Sequence, residues 1–197
     1  MQRPLGKRRY RKLFVIAVEG AITERLYFGM LNRRQDSVIH LKCLHDKHKS
    51  AARQVLKRMQ EYLKQNNLKD TDEAWLVVDK DSNSDDVLEA LCRWAKGKPN
   101  YGFALSNPKF EYWLLLHFED GGGVTSPQIC GDRLKRYLPD YNKGINARDF
   151  THERIEDAIS RAKRRDNPPC DDWPRAPGGT TVYKLVENIL RGSASAG

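Results

Sequence analysis

Acidic residues stand at the ends of two apolar runs, where carboxylates can bind metal or move protons. Glu19 follows the run at residues 14–18, and Asp79 and Asp81 close the run at 74–78. Runs that are apolar on both faces predict central parallel strands, covered by helices on each side. The carboxyl ends of such strands meet at one edge of the sheet, where open α/β sheets place their chemistry. We therefore expect these three carboxylates to lie together if the two strands are neighbours.

Carboxylates gathered at one edge would repel one another. Two of them about 4 Å apart repel by about 4 kcal/mol at an effective dielectric constant of about 20, so protonation or a bound cation must relieve them. Oxygen ligands without histidine or cysteine favour a hard ion, Mg²⁺ or Mn²⁺. This hypothesis requires Glu19 and Asp79 to lie within about 10 Å, because the cation–oxygen bond is about 2.1 Å long. In the alternative interpretation, Glu19 is only the polar end of a buried strand.

Two further acids fall in the first turns of predicted helices. Glu24 either complements the helix dipole or serves as an outer metal ligand or base. Glu111 stands among aromatic residues on a helix that is apolar nearly all round, where an unpaired carboxylate needs a partner or an ion. Just before it, Ser106 and Asn107 either cap this helix or orient substrate and water. We expect His117, on the same helix, to be a satisfied core histidine.

The hydrophobic pattern predicts a three-layer α/β domain with a mainly parallel, four-stranded sheet and a helical C-terminal extension. The strands are predicted at 13–18, 38–44, 74–78 and 101–105, and the helices between and after them at 23–31, 51–65, 87–95 and 108–118. Later helices are predicted at 127–137, 151–165 and 181–190. The chain thus divides into a basic leader (1–12), a core (13–120), a helical part packed on the core (121–191) and a disordered tail (192–197).

Lysines and glycines provide candidate phosphate-binding groups. The lysines are Lys80, Lys109, Lys143 and Lys184, none of which is singled out by its spacing. Two glycines precede Thr180 at the start of the final helix. Such a segment either holds a phosphate through its backbone N–H groups or is a simple threonine cap.

The charge balance makes a polyanionic partner such as nucleic acid plausible. The 197 residues include 35 Lys and Arg against 26 Asp and Glu, which gives a net charge of +9. Basic runs lie at 7–12 and 161–165, although the first would equally suit a solvated arm. The four cysteines lack metal-site spacing and fit a reducing cytoplasm. The first apolar run is too short to span a membrane and is broken by Glu19, so we expect a cytoplasmic protein without membrane contact.

Three motifs occur in order along the chain. They are Glu-Gly-x-x-Thr-Glu-x-x-Tyr-Phe at 19–28, Asp-x-Asp at 79–81 and Ser-Asn-Pro-x-Phe-Glu-x-Trp-Leu-Leu-x-His-Phe at 106–118. With these motifs and its closing helix at 180–190, the chain resembles the RloB-like family of bacterial phage-defence proteins over most of its length. The first and third motifs are long enough to be specific.

The resemblance implies a relationship to Toprim domains, in which a strand-end Glu and an Asp-x-Asp hold Mg²⁺ for phosphoryl transfer. That role would fall to Glu19, Asp79 and Asp81, and Glu111 would support them as a fourth catalytic acid. The resemblance also implies a part in antiviral defence by abortive infection. Residues expected to contact substrate are Glu24, Ser106, Asn107, Lys109, Lys143, Thr180 and Lys184.

Three functions fit this pattern. The leading hypothesis is a metal-dependent nuclease acting on DNA or RNA, because no tyrosine is placed as a topoisomerase nucleophile. The second is a non-catalytic nucleic-acid-binding or effector subunit that works beside a partner ATPase. In that case the chain would bind nucleic acid in a salt-sensitive manner, and this binding would survive loss of Asp79 and Asp81. The third is a small nucleotide-processing enzyme that uses the same metal site and needs no polymer.

Overall fold

A computed structural model of the chain describes residues 12–34, 39–45, 51–81 and 83–194. The predicted basic leader, apart from Lys12, lies outside these ranges, as do the last three residues of the predicted tail. The first three residues of that tail continue the final helix.

The centre of the fold is a five-stranded sheet with the order β2-β1-β3-β4-β5. Its strands are β1 (Lys12–Val18), β2 (Ile39–Leu44), β3 (Glu73–Asp79), β4 (Tyr101–Asn107) and β5 (Gly179–Thr180). The first four are parallel, and β5 runs antiparallel to β4. The predicted mainly parallel sheet is confirmed. The predicted count of four strands omitted β5, which is two residues long.

Helices cover both faces of the sheet, which confirms the three-layer α/β arrangement. They are α1 (Thr23–Arg34), α2 (Ala52–Gln65), α3 (Asp85–Ala95), α4 (Phe110–Leu115), α5 (Pro127–Tyr137), α6 (His152–Arg165) and α7 (Val182–Ala194), with a 3₁₀ turn at Ala147–Asp149. None of these helices, within the described ranges, has the length and apolar character needed to cross a membrane.

The alternation of side chains along the strands divides the core into two layers. Phe14, Ile16 and Val18 of β1 face a layer that is built from α1 and from α4 to α7. Val15 and Ala17 face the opposite layer, built mainly from α2 and α3. Because β1 is buried on both faces and has neighbours on both sides, its apolar run is continuous rather than alternating.

The register of β1 and β3 brings their carboxyl ends together. Val18 is the Cα partner of Val77 in this parallel pair. The strand pair therefore ends at Glu19 on one side and Asp79 on the other. The neighbourhood that the acidic hypothesis required is confirmed.

Strand β4 extends two residues further than the sequence pattern predicts. Ser106 pairs with Thr180 and Asn107 with Gly179, so both residues belong to a strand. The expectation that Asn107 caps the following helix is wrong, since Lys109 occupies the N-cap position and makes no side-chain cap. The Asn107 side chain instead donates hydrogen bonds to the carbonyls of Pro174 (3.0 Å) and Arg175 (3.2 Å).

His117 is a satisfied core histidine, as expected. It is buried, and its Nδ1 lies 3.0 Å from the Trp113 carbonyl while its Nε2 lies 3.0 Å from the Tyr27 hydroxyl. With the proton on Nδ1, Nε2 accepts from Tyr27. Burial lowers the pKa of His117 to about 3. The ring therefore stays neutral in the core at neutral pH.

Gly102 permits the close packing of β3 against β4. It is the Cα partner of Trp75, and a Cβ added to it would lie 2.4 Å from the indole ring. We expect Gly102→Ala to lower the free energy of unfolding by about 1–3 kcal/mol, the usual effect of overpacking. Urea denaturation measures it. The matched control is Gly144→Ala, since a Cβ added there has nothing within 4 Å, and equal losses in both variants would contradict this account of the packing.

Candidate functional site

Glu19 and Asp79 lie side by side at the carboxyl edge of the sheet. The amide of Asp79 donates to Glu19 Oε2 at 3.0 Å. Asn83 holds the same pair, because its side-chain amide donates to Glu19 Oε2 (3.1 Å) and to the Asp79 carbonyl (2.7 Å). The two acids thus satisfy the distance condition set for shared binding of a cation.

The side chain of Glu24, in the first turn of α1, contacts the residues that precede the helix. Its carboxylate is buried and accepts from the amide of Gly20 at 3.0 Å. A Cβ on Gly20 would lie 2.0 Å from Glu24 Oε2. Glycine at this position therefore leaves the space that the carboxylate occupies.

Glu111 has partners from a distant part of the chain. It lies buried in the first turn of α4. The Tyr141 hydroxyl donates to its Oε1 at 3.0 Å, and the Lys143 ammonium lies 4.0 Å from the same oxygen. The expectation that this buried carboxylate needs a partner is confirmed.

These residues form an acidic cluster, made of Glu19, Glu24, Asp79, Asp81 and Glu111. The pKa of the Asp79 carboxyl is raised well above its ordinary value, first by desolvation and then by the other acids. In decreasing order of effect those acids are Glu24, Glu19, Glu111 and Asp81. Asp81 is exposed and stands at the rim of the cluster. The sheet edge thus concentrates negative charge that the protein's own groups offset only in part.

The pKa values of the two neighbouring glutamates are raised as well. Burial is the main cause for Glu19, against the hydrogen bonds from the Asp79 amide and from Asn83. Burial is also the main cause for Glu24, to which the Glu111 carboxylate adds. Perturbed carboxyl groups that share one place in the fold are typical of functional sites.

The donor chemistry of the cluster fits a hard divalent cation. All of its donors are carboxylate oxygens, which Mg²⁺ and Mn²⁺ prefer. Within the described ranges, however, no three Asp, Glu, His or Cys side chains already stand together as a complete ligand set. The Glu19 carboxylate already accepts hydrogen bonds from the Asp79 amide and from Asn83, which occupy part of its capacity to bind a cation.

The four candidate lysines differ in their surroundings. Lys143 lies beside Glu111 and Lys80 pairs with Asp85 at 3.1 Å, whereas Lys184 contacts Asp166 at 3.5 Å. The side chain of Lys109, which follows β4, is half-buried and makes no hydrogen bond or ion pair within the described part of the chain. Its ammonium lies beside Gly131 of α5, 3.7 Å from a Cβ built there. Of the four, Lys143 is therefore the cation best placed to meet an anion at the cluster.

Ser106 and Thr180 serve the sheet rather than an open surface. Both are buried, and their hydroxyl oxygens lie 2.9 Å apart across the β4–β5 pair. Thr180 also accepts from the amide of Val182, which begins α7, at 3.2 Å. These contacts join the C-terminal segment to the edge that carries the acidic cluster.

Two residues of the site were missed in the sequence. Asn83 lies in a polar loop whose composition suits an ordinary helix start, so nothing marked its contacts with Glu19. Tyr141 was visible only as part of a polar loop, because its partners Thr23 and Glu111 are 118 and 30 residues away. Only the folded chain brings these groups together.

The fold and this site define a Rossmann-like α/β domain with an acidic site at the carboxyl edge of its sheet. The sequence model of the family described as RloB-like protein matches residues 14–189. The chain belongs to the RloB-like family, as its motifs indicated. Comparisons with curated proteins and with solved structures gave no significant match.

The raised pKa of Asp79, caused first by burial and then by repulsion from the other acids, predicts how stability depends on pH. Because the folded-state pKa of Asp79 is raised, its contribution to stability is present at low pH and is lost as pH rises through that pKa. Asp79→Asn removes this titration. We expect the free energy of unfolding of the variant, relative to wild type, to increase between about pH 4 and pH 8 in metal-free buffer.

Urea denaturation at several pH values tests this expectation. Glu61→Gln is the matched control, because Glu61 is an exposed acid on α2, away from the cluster. A difference between Asp79→Asn and wild type that stays constant with pH would show that burial and the neighbouring acids do not raise the pKa of Asp79.

Proposed function

We propose that this protein is a divalent-metal-dependent nuclease of the Toprim type that acts in anti-phage defence. The observation that carries the proposal is the acidic cluster at the carboxyl edge of a parallel sheet, where burial, and then the four other carboxylates, raise the pKa of Asp79. The family resemblance supports the Toprim relationship and the defence role. The acidic cluster supports the metal-dependent hydrolysis.

Glu19, Asp79 and Asp81 would hold Mg²⁺ or Mn²⁺. A bound ion of this kind activates water and neutralises charge on the attacking and leaving oxygens of a phosphodiester. Asn83 and the Asp79 amide fix the Glu19 carboxylate beside Asp79.

Other residues would act on the substrate directly. Glu111, oriented by the Tyr141 hydroxyl, is placed to orient a water or accept its proton. Lys143 supplies positive charge next to Glu111, and Lys109, two residues before Glu111 in the chain, is a second candidate to bind the phosphate. Acids flanked by cations suit an anionic substrate better than a neutral one, and the net charge of +9 suits a polymeric anion.

A cleavage assay with single- and double-stranded DNA and RNA tests the proposal. In Mg²⁺ or Mn²⁺ we expect wild type and Glu61→Gln to cut one of these substrates. Asp79→Asn should cut it at least about 100-fold more slowly, which corresponds to about 2.7 kcal/mol of transition-state stabilisation. Binding of the uncut polymer by the variant, measured in EDTA, should persist because the cations remain.

A non-catalytic nucleic-acid-binding or effector subunit, working beside a partner ATPase, is the second candidate. The incomplete ligand set described above favours it. In that case the wild type binds polymer in a salt-sensitive manner, Asp79→Asn binds equally well and neither protein cuts. This outcome would overturn the nuclease proposal.

A further inference from the structure

The loop between α5 and the 3₁₀ turn, residues 139–146, contacts the acidic cluster from the C-terminal part of the chain. The Thr23 hydroxyl at the start of α1 donates to the Lys143 carbonyl at 2.8 Å and lies 3.1 Å from the Tyr141 hydroxyl. Tyr141 in turn donates to Glu111. The 139–146 loop therefore joins the first turns of α1 and α4, which carry Glu24 and Glu111.

Lys143 has an unusual backbone conformation for its residue type. Its φ is +67°, and no other non-glycine residue in the described ranges has a positive φ. This left-handed conformation is unfavourable for a residue with a Cβ, which approaches the following carbonyl oxygen too closely. The hydrogen bond from Thr23 to its carbonyl helps hold it. A lysine kept in this conformation next to two buried acids indicates that its side chain has a task there.

The position of the ammonium group defines that task. The Lys143 side chain is 65% exposed, and its Nζ lies 4.0 Å from Glu111 Oε1. Its charge also acts on Glu24, whose carboxylate is repelled by Glu111. Lys143 thus supplies positive charge to two buried acids while most of its side chain stays in water, free to move.

We propose that Lys143 is a built-in counter-cation of the acidic cluster, which competes with a divalent ion for the field of Glu24 and Glu111. This inference rests on the proposed function, because it assumes that the cluster takes a divalent ion. A divalent ion held by the cluster would repel the Lys143 ammonium and weaken the Lys143–Glu111 contact. The Lys143 ammonium would then be available to pair with a phosphate of the substrate. Tyr141 is a positioning residue that keeps Glu111 oriented throughout.

Mn²⁺ binding, measured by calorimetry on the full chain, tests the competition. Lys143→Met keeps the length of the side chain and the same backbone preference but removes the charge. We expect it to bind Mn²⁺ about fivefold more tightly than wild type, near the lower end of the coupling between competing ligands. Lys143→Arg, which restores a cation, should return the affinity to within about twofold of wild type. Lys135→Met, an exposed lysine on α5, is the surface control.

Thermal unfolding separates this role from simple support of the loop. Without metal, Lys143→Met should unfold at a lower temperature than wild type, because Glu24 and Glu111 lose their counter-cation. Saturating Mn²⁺ should remove that difference. A lysine that only supported the loop would lower the unfolding temperature in both conditions and leave Mn²⁺ affinity unchanged.

The outcomes distinguish the two proposals. If wild type binds Mn²⁺ and Asp79→Asn does not, while Lys143→Met binds as wild type does, the counter-cation is overturned and the metal site stands. If wild type binds no Mn²⁺, both proposals are overturned. Tighter binding by Lys143→Met alone, with rescue by Lys143→Arg, establishes the competition.

Discussion

Repulsion among carboxylates at one edge of the sheet is the constraint on which the rest of this structure depends. Parallel strands β1 and β3 end side by side, which places Glu19 and Asp79 next to each other. Uncharged hydrogen-bond donors of the protein partly offset the negative charge. The Gly20 amide donates to Glu24, and the Asp79 amide and the Asn83 side chain donate to Glu19. These dipoles reduce the repulsion without cancelling the charge, which leaves the cluster able to attract a cation.

The C-terminal part of the chain completes this arrangement. Tyr141 and Lys143 bring a hydroxyl and a charge to Glu111, and β5 extends the sheet beside it. Loss of residues 139–146 would leave Glu111 buried without these partners. The helical part is therefore a structural component of the acidic site as well as a cover for one face of the sheet.

The central strands of the sheet were predicted correctly from the sequence, whereas the edge strand β5 was not. The runs at 14–18 and 74–78 were recognisable because strands buried on both faces need apolar residues at every position. The position of Glu19 and Asp79 at the same edge of the sheet followed from the parallel arrangement of these two strands. Strand β5 could not be seen, since Gly179 and Thr180 form a strand only through their pairing with Ser106 and Asn107. The same two partners looked like helix caps because polarity at a strand end and at a helix start is alike.

Long-range partners account for the remaining differences. Lys184 was predicted as a phosphate ligand although its spacing did not single it out, and its ammonium lies 3.5 Å from Asp166 and 3.2 Å from the Cys170 carbonyl. Lys143 had no better spacing, and only the fold placed it near Glu111. Local patterns determine which residues end strands, whereas the choice of charged partners depends on contacts between distant segments.

The two edges of the sheet differ in how they resist the addition of a strand from another molecule. At one edge, Gly178 and Thr181, which flank β5, form hydrogen bonds with Asn107 and Leu105 at the end of β4. At the other edge, β2 pairs with β1 alone among the described strands and exposes His40 and Lys42. A charged side chain on an edge strand opposes aggregation through strand pairing. Two different features thus oppose strand pairing between molecules. One edge of the sheet is covered by the segment around β5, and the other edge exposes polar side chains of β2.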